Sequence, residues 1–248
     1  MPFSNLVDKR SKPLLLLHGF MQDARTWDSI RLPAGAHAFD YAAHRDGRMG
    51  SLIASVHEES VRMGGASVLV GYSMGGRIAA LCALRHPDAV AGLVLESAGL
   101  GCIDEEDRTC CAERNEAWAA QLDDGSPLAF EEFINRWEDL PLFATQRELP
   151  ASVQELQRRM RRACDPARLA NQLRYAGVQT MPLERDTVES LTRLPFPVHY
   201  IVGTRDAKYS SLADRLPESF IVHRVNAGHN VHMENPQAYE DIIRKEFA

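Results

Sequence analysis

Apolar positions in this chain fall in short unbroken runs separated by longer amphipathic stretches. Leu14, Leu15, Leu16 and Leu17 form the first run, and 66–70, 90–95, 197–203 and 220–225 supply the later ones. Runs of roughly four to eight apolar residues, bounded by turn formers, read as strands buried on both faces. Residues 36–40 read as one more strand. The intervals carry a different period. Leu52, Ile53, Val56 and Val61 within 49–63 lie on one helical face, and 76–84 is apolar almost all round, which marks a buried helix. A short helical or turn segment at 24–30 holds Trp27, and a helix over 236–247 closes the chain. Strands alternating with helices imply an α/β fold with a mostly parallel sheet flanked by helices and right-handed crossovers.

The alternation stops between 99 and 192. That stretch is charged, rich in arginine and nearly free of strand-like runs, with helical spacing at 105–121, 128–137, 152–162 and 166–176. It is expected to be a helical cap (99–192) inserted after the 90–95 strand into a core of 1–98 and 193–248. A cap excludes water and carries groups that select substrate.

Composition narrows the partners. A net charge of −6 on 248 residues leaves no nucleic-acid footprint. No apolar run reaches the roughly 18 residues of a membrane span, and the first residues lack a signal-peptide core. Five cysteines, Cys82, Cys102, Cys110, Cys111 and Cys164, show no metal-type spacing, so reduced thiols, a cytoplasmic setting and no bound metal are expected. What remains is a small-molecule protein, monomeric or a small homo-oligomer.

The candidate chemistry sits where strands end. Gly71-Tyr72-Ser73-Met74-Gly75 follows the 66–70 strand and runs into the 76–84 helix. A Gly-x-Ser-x-Gly turn in that context lifts the serine hydroxyl clear of the sheet. A serine hydroxyl needs a histidine as base, and the histidine needs an acid to orient it. Asp206 follows the 197–203 strand and His229 follows the 220–225 strand, in the order this architecture uses. Asp214 reads as a surface charge in the helix after Asp206, His232 as a residue beside the site that orients the loop, and His199 and His223 as strand packing. His18-Gly19-Phe20 closes the first strand, so the Phe20 and Met74 backbone N–H groups are the expected oxyanion donors.

These residues together resemble the α/β-hydrolase superfamily. More narrowly, the chain resembles the menaquinone-pathway synthases that make 2-succinyl-6-hydroxy-2,4-cyclohexadiene-1-carboxylate (SHCHC). The likeness rests on 18–21 with Trp27, on 71–79, on Glu96-Ser97-Ala98, on 137–143, on 203–209 and on 227–236. It implies a lyase without cofactor: Ser73, activated by His229 and Asp206, takes a proton from a cyclohexene carboxylate bearing an enolpyruvyl ether, and pyruvate leaves. A substrate with several carboxylates calls for arginine forks. Arg77, one helical turn beyond Ser73, and Arg161, which matches a family arginine, are the first candidates, with Arg114 as a third. Tyr72 and Trp137 are expected to line the pocket, and Arg158, Arg159 and Arg162 to form a solvated helix face.

Two features depart from the family. The loop 40–47 keeps His44 but not the glycines that usually flank it, and the segment before Leu14 is short for an opening hairpin. Two further functions stay open. The same triad would serve an ester hydrolase acting through a Ser73 acyl-enzyme, and the fold would serve a non-catalytic binding protein, against which the intact Ser73, Asp206 and His229 argue.

Overall fold

The apolar runs become six strands: β1 (Leu14–Leu17), β2 (His37–Phe39), β3 (Ser67–Tyr72), β4 (Val90–Glu96), β5 (Val198–Gly203) and β6 (Phe220–Val225). The computed structural model of the chain describes residues 12–41 and 46–247, so the expectations for His44 and for the segment before Leu14 lie outside the described residues or at their margin. Every described pairing is parallel, in the order β2-β1-β3-β4-β5-β6. The chain runs outward from β1 to β2 and then returns to the other side of β1 as β3. Ligands of open α/β sheets bind at the carboxyl ends where the order reverses in this way. The loops after β1 and β3 therefore flank the expected crevice.

Alternate side chains of the strands feed two cores. Leu15, Leu17, Leu69, Leu93, Leu95 and Tyr200 pack against α1 (Met49–Arg62) and α2 (Met74–Arg85). Leu14, Leu16, Val70, Val94 and Ile201 pack on the opposite face, against Trp27 and residues of the closing helix. Ile78, Ala79, Ala80, Cys82 and Ala83 are fully buried, as the all-round apolar pattern of α2 demanded.

Between β4 and β5 lie α3 (Glu105–Leu122), α4 (Pro127–Glu138), α5 (Ala151–Arg162), α6 (Pro166–Tyr175) and α7 (Glu184–Leu191). Ala119, Leu122, Phe133, Ile134, Leu169 and Leu173 make a third core, which Met21 of the β1 loop enters. Two pieces of this stretch carried no apolar period. Residues Pro141–Glu148 form a 3-10 segment in which Phe143 and Gln146 are buried. Helix α7 is charged, and its Leu191 joins the α1 and α2 face of the sheet. The chain then finishes with α8 (Ala207–Ala213), α9 (Val231–Glu234) and α10 (Pro236–Phe247). Asp214 lies one residue past α8, exposed and 2.5 Å from Arg224. His199 and His223 stack in neighbouring strands, with ring nitrogens 3.1 Å apart. No helix among the described residues is long and apolar enough to cross a membrane.

Candidate active site

The turn after β3 is built by close backbone approach. A Cβ on Gly75 would collide with the carbonyl oxygens of Leu17 and His18, and one on Gly76 would meet the Ala98 methyl. Only glycine lets α2 start this near to β1. Ser73 stands between β3 and α2 with φ 50° and ψ −109°, a region that costs a non-glycine residue on the order of 1–3 kcal/mol. Its own N–H donates to the Glu96 carbonyl at 2.8 Å, which helps hold the turn.

The other members arrive from β5 and β6. The turn after β5 is locked by Thr204 N–H on Val225 O (2.8 Å) and Arg205 N–H on Ala227 O (2.9 Å). Asp206 caps α8, its Oδ1 accepting the Tyr209 N–H at 3.1 Å. Its Oδ2 accepts from His229 Nδ1 at 2.7 Å. A carboxylate only accepts, so Nδ1 carries the proton and Nε2 is left as acceptor for the Ser73 hydroxyl, 3.2 Å away. Glu234 clamps the His229 loop through Gly228 N–H (2.6 Å) and Asn230 N–H (3.1 Å). Asp206 and His229 are buried, and Tyr72, Phe143 and Tyr209 surround the imidazole at centroid distances of 5.4, 5.8 and 4.9 Å. Such packing leaves the ring little freedom to turn away.

Of the two expected oxyanion donors, Met74 directly follows Ser73 and Phe20 lies in the loop after β1. Among the described residues, neither the Phe20 nor the Met74 N–H donates a hydrogen bond. Phe20 packs on Trp137 at 5.0 Å, and Trp137 belongs to an aromatic group with Trp118, Phe133 and Phe143. Helices α3 and α4 and the 3-10 segment thus meet the loop after β1.

The arginines separate. Arg77, on α2, is partly buried, and its Nε is buried without a hydrogen-bond partner. Among the described residues no carboxylate pairs with it, and burial pulls its guanidinium below the usual arginine value. Arg161 is buried on α5 and already paired, 2.8 Å from Glu138, with Gln146 Oε1 at 3.2 Å and the Phe143 ring beneath it. It lines a cavity of about 290 Å³ together with Gln157 and Arg158. Arg114 is exposed on α3 and its guanidinium reaches Asn115 Oδ1 at 3.4 Å. Arg158 and Arg162 both engage Glu131 of α4, at 2.6 and 2.7 Å, while Arg159 is exposed. A second cavity of about 140 Å³ opens beside the loop after β1, lined by Gly19, Gln22, Asp23, Cys164 and Gln172.

One group among the described residues has donors spaced for a metal. The sulfurs of Cys102 and Cys111 and a carboxylate oxygen of Asp107 lie within 4.8 Å of one another. These donors are engaged: Asp107 accepts from Ile103 N–H at 3.0 Å and from the Cys111 thiol at 3.5 Å. Burial pushes the Cys102 thiol up to about 12, which keeps it protonated.

Sequence reasoning missed a pairing behind the triad. His232 and Glu96 are fully buried with Nδ1 2.7 Å from Oε2. The available signals were a glutamate closing an otherwise apolar strand and a second histidine three residues past His229.

A parallel sheet with a strained serine after its third strand, and acid and histidine after later ones, defines the class. Residues 14–242 match the alpha/beta hydrolase family, and the chain belongs to that family. Within it, the chain is similar to the 2-succinyl-6-hydroxy-2,4-cyclohexadiene-1-carboxylate synthase of Enterobacter sp. (strain 638). The two are 32% identical over 239 residues, 91% of this chain and 87% of that protein. The protein of the same name from Salmonella agona (strain SL483) is 31% identical over 241 residues, 93% of this chain and 91% of its own length. Among solved structures, MenH from S. aureus superposes with a TM-score of 0.81 at 26% identity, covering 96% of this chain and 93% of that one. A thermophilic esterase from Thermogutta terrifontis shares the fold, with a TM-score of 0.65 at 23% identity.

Proposed function

We infer that this protein is a carbon–oxygen lyase of the SHCHC synthase type, acting in menaquinone biosynthesis. The observation that carries this reading is Arg77, a cation one helical turn beyond Ser73 with no carboxylate paired to it among the described residues. A buried guanidinium without an acidic partner is costly unless a ligand anion completes it. An enolpyruvyl cyclohexene carboxylate supplies such anions, and a neutral ester does not.

In the proposed reaction, His229 Nε2 takes the Ser73 proton while Ser73 Oγ takes the proton from a ring carbon of the substrate. The C–H electrons become a ring double bond, and the C–O bond to the enolpyruvyl group breaks with its electrons going to oxygen. The proton held on His229 passes to the carbon of the departing enolate, which leaves as pyruvate, and the imidazole returns to its neutral form. Charge developing on the substrate falls on the Phe20 and Met74 N–H groups, each such donor being worth roughly 3 kcal/mol of barrier. Asp206 holds the tautomer and stabilises the imidazolium. No step calls for a cofactor. Helices α3 to α6 act as a cap, with Trp137 and Tyr72 as apolar walls and Arg161 and Arg114 as further carboxylate contacts.

The alternative reading, ester hydrolysis, uses the same serine, base and donors with a carbonyl in place of the C–H bond. One comparison separates them. Purified protein is given the enolpyruvyl substrate, with pyruvate release followed, and separately p-nitrophenyl acetate. Pyruvate formation at a kcat/KM far above that for the ester is expected. Ester turnover without pyruvate release would replace the lyase reading by the hydrolase one.

A further inference from the structure

Glu96 touches the catalytic machinery twice. Its backbone carbonyl accepts the Ser73 N–H at 2.8 Å. Its carboxylate accepts the His232 backbone N–H at 3.0 Å and the His232 Nδ1–H at 2.7 Å. His232 lies in α9, three residues after His229, so one side chain spans the nucleophile turn and the segment that bears the base.

The far side of His232 reaches a third part of the site. Its Nε2 lies 2.8 Å from Thr26 Oγ1, and Ser29 donates to its carbonyl at 3.2 Å. Thr26 and Ser29 belong to the 3-10 segment Ala24–Ser29, a few residues past Phe20. With Nδ1–H given to Glu96, Nε2 is left to accept the Thr26 hydroxyl, whose oxygen also lies 3.3 Å from Met233 sulfur. Trp27 stacks on the imidazole at 4.0 Å and Tyr72 meets it edge-on at 5.1 Å. Both ring nitrogens are engaged and the side chain is fully buried.

A fully buried carboxylate facing a fully buried imidazole is not an efficient route to stability. Apolar residues of the same volume serve as well or better. Its geometry offers registry instead: three loops from three strand ends share one rigid group, and none of them can shift alone without leaving a buried polar atom unpaired.

We propose that the Glu96–His232–Thr26 relay is a positioning unit that sets the separation of Ser73, His229 and the Phe20 donor loop. It rests on the reading of Ser73 as the activated hydroxyl, but not on the lyase chemistry. Displacements of about 1 Å at reacting groups cost on the order of 100-fold in rate. The relay therefore acts on turnover and not only on folding.

The test is the rate at which a fluorophosphonate labels Ser73, a reaction that needs the activated hydroxyl and no particular substrate. Wild type, Glu96→Gln, His232→Gln, the double variant, Thr26→Val and Thr26→Ser are compared, each rate being expressed per folded molecule from circular dichroism. Glu96→Gln and His232→Gln are expected to label roughly 10- to 100-fold more slowly. The double variant should fall within about threefold of the slower single, because the two act as one unit. Thr26→Val removes only a hydroxyl and should slow labelling roughly 2- to 10-fold, with Thr26→Ser restoring it. Glu184→Gln, which breaks a surface pair with Arg215, is the control and should label like wild type. Folded variants that label at the wild-type rate, even with a lowered Tm, would overturn the positioning role, as would additive losses in the double variant. Wild type that fails to label would overturn the assignment of Ser73, and the relay's role with it.

Discussion

Replacing Arg77 by methionine should push stability and activity in opposite directions. The guanidinium is partly buried, its Nε is sealed from water without an acceptor, and its electrostatic neighbours Tyr209, Tyr41, Arg114 and Cys111 include no carboxylate. One unsatisfied buried donor costs about 1–3 kcal/mol. Methionine keeps the length of the aliphatic stem and its packing while removing the charge. Because part of the side chain still meets solvent, the low end applies, and a gain of about 1 kcal/mol raises Tm by about 2–4 °C in a chain of this size. Against that, a charge-assisted contact to a substrate carboxylate is worth about 1.5–3 kcal/mol, or roughly 10- to 150-fold in kcat/KM. The assay pairs a thermal melt with kinetics on the enolpyruvyl carboxylate and on p-nitrophenyl acetate. The expected result is a higher Tm, a loss in that range on the anionic substrate, and a change of less than about threefold on the neutral ester. A lowered Tm, or equal losses on both substrates, would refute the idea that Arg77 is held in reserve for a ligand anion.

Other outcomes follow from the same geometry. Ser73→Ala and Ser73→Gly should both lower turnover by at least about three orders of magnitude, while Ser73→Gly melts higher than Ser73→Ala because glycine relieves the positive φ, a difference of about 1 kcal/mol in denaturant titration. Asp206→Asn keeps the volume but reverses the hydrogen-bond partner of His229, so kcat should fall on the order of 10⁴-fold with the melting curve little changed. The Glu131 carboxyl is held down to about 2 by hydrogen bonds from Arg162 and Arg158. Its folded value lies below the ordinary glutamate range, so its contribution is present above that range and is lost as pH falls toward about 2. Melts of wild type and Glu131→Gln should therefore differ at about pH 6, by less at about pH 3, and converge only as pH approaches about 2; a constant gap would show that the carboxylate is not the cause.

How much of this was legible in the sequence depended on how far apart the interacting residues stand. The strands could be read because a parallel sheet buried on both faces needs unbroken apolar runs, and Leu14 to Leu17 is such a run. The positions of Ser73, Asp206 and His229 were readable for a related reason: each lies in the turn or loop that follows a strand, and parallel strands deliver their carboxyl ends to one edge. Helix α7 was hidden because Thr187 and Leu191 are its only buried positions, too few to set a period. The partners of Arg161 were hidden because nothing local distinguishes it from Arg158, Arg159 and Arg162; what singles it out is facing Phe143 and Gln146, which lie in a 3-10 segment without amphipathic spacing. The Glu96 and His232 pair shows the limit most clearly. A glutamate ending an apolar strand and a histidine in a loop are each unremarkable, and 136 residues separate them. Only the order β4-β5-β6 brings the end of β4 near the segment that follows β6. Local pattern thus locates the candidate catalytic groups, while the buried pair proposed to hold them in register is brought together by strand order, which no single segment encodes.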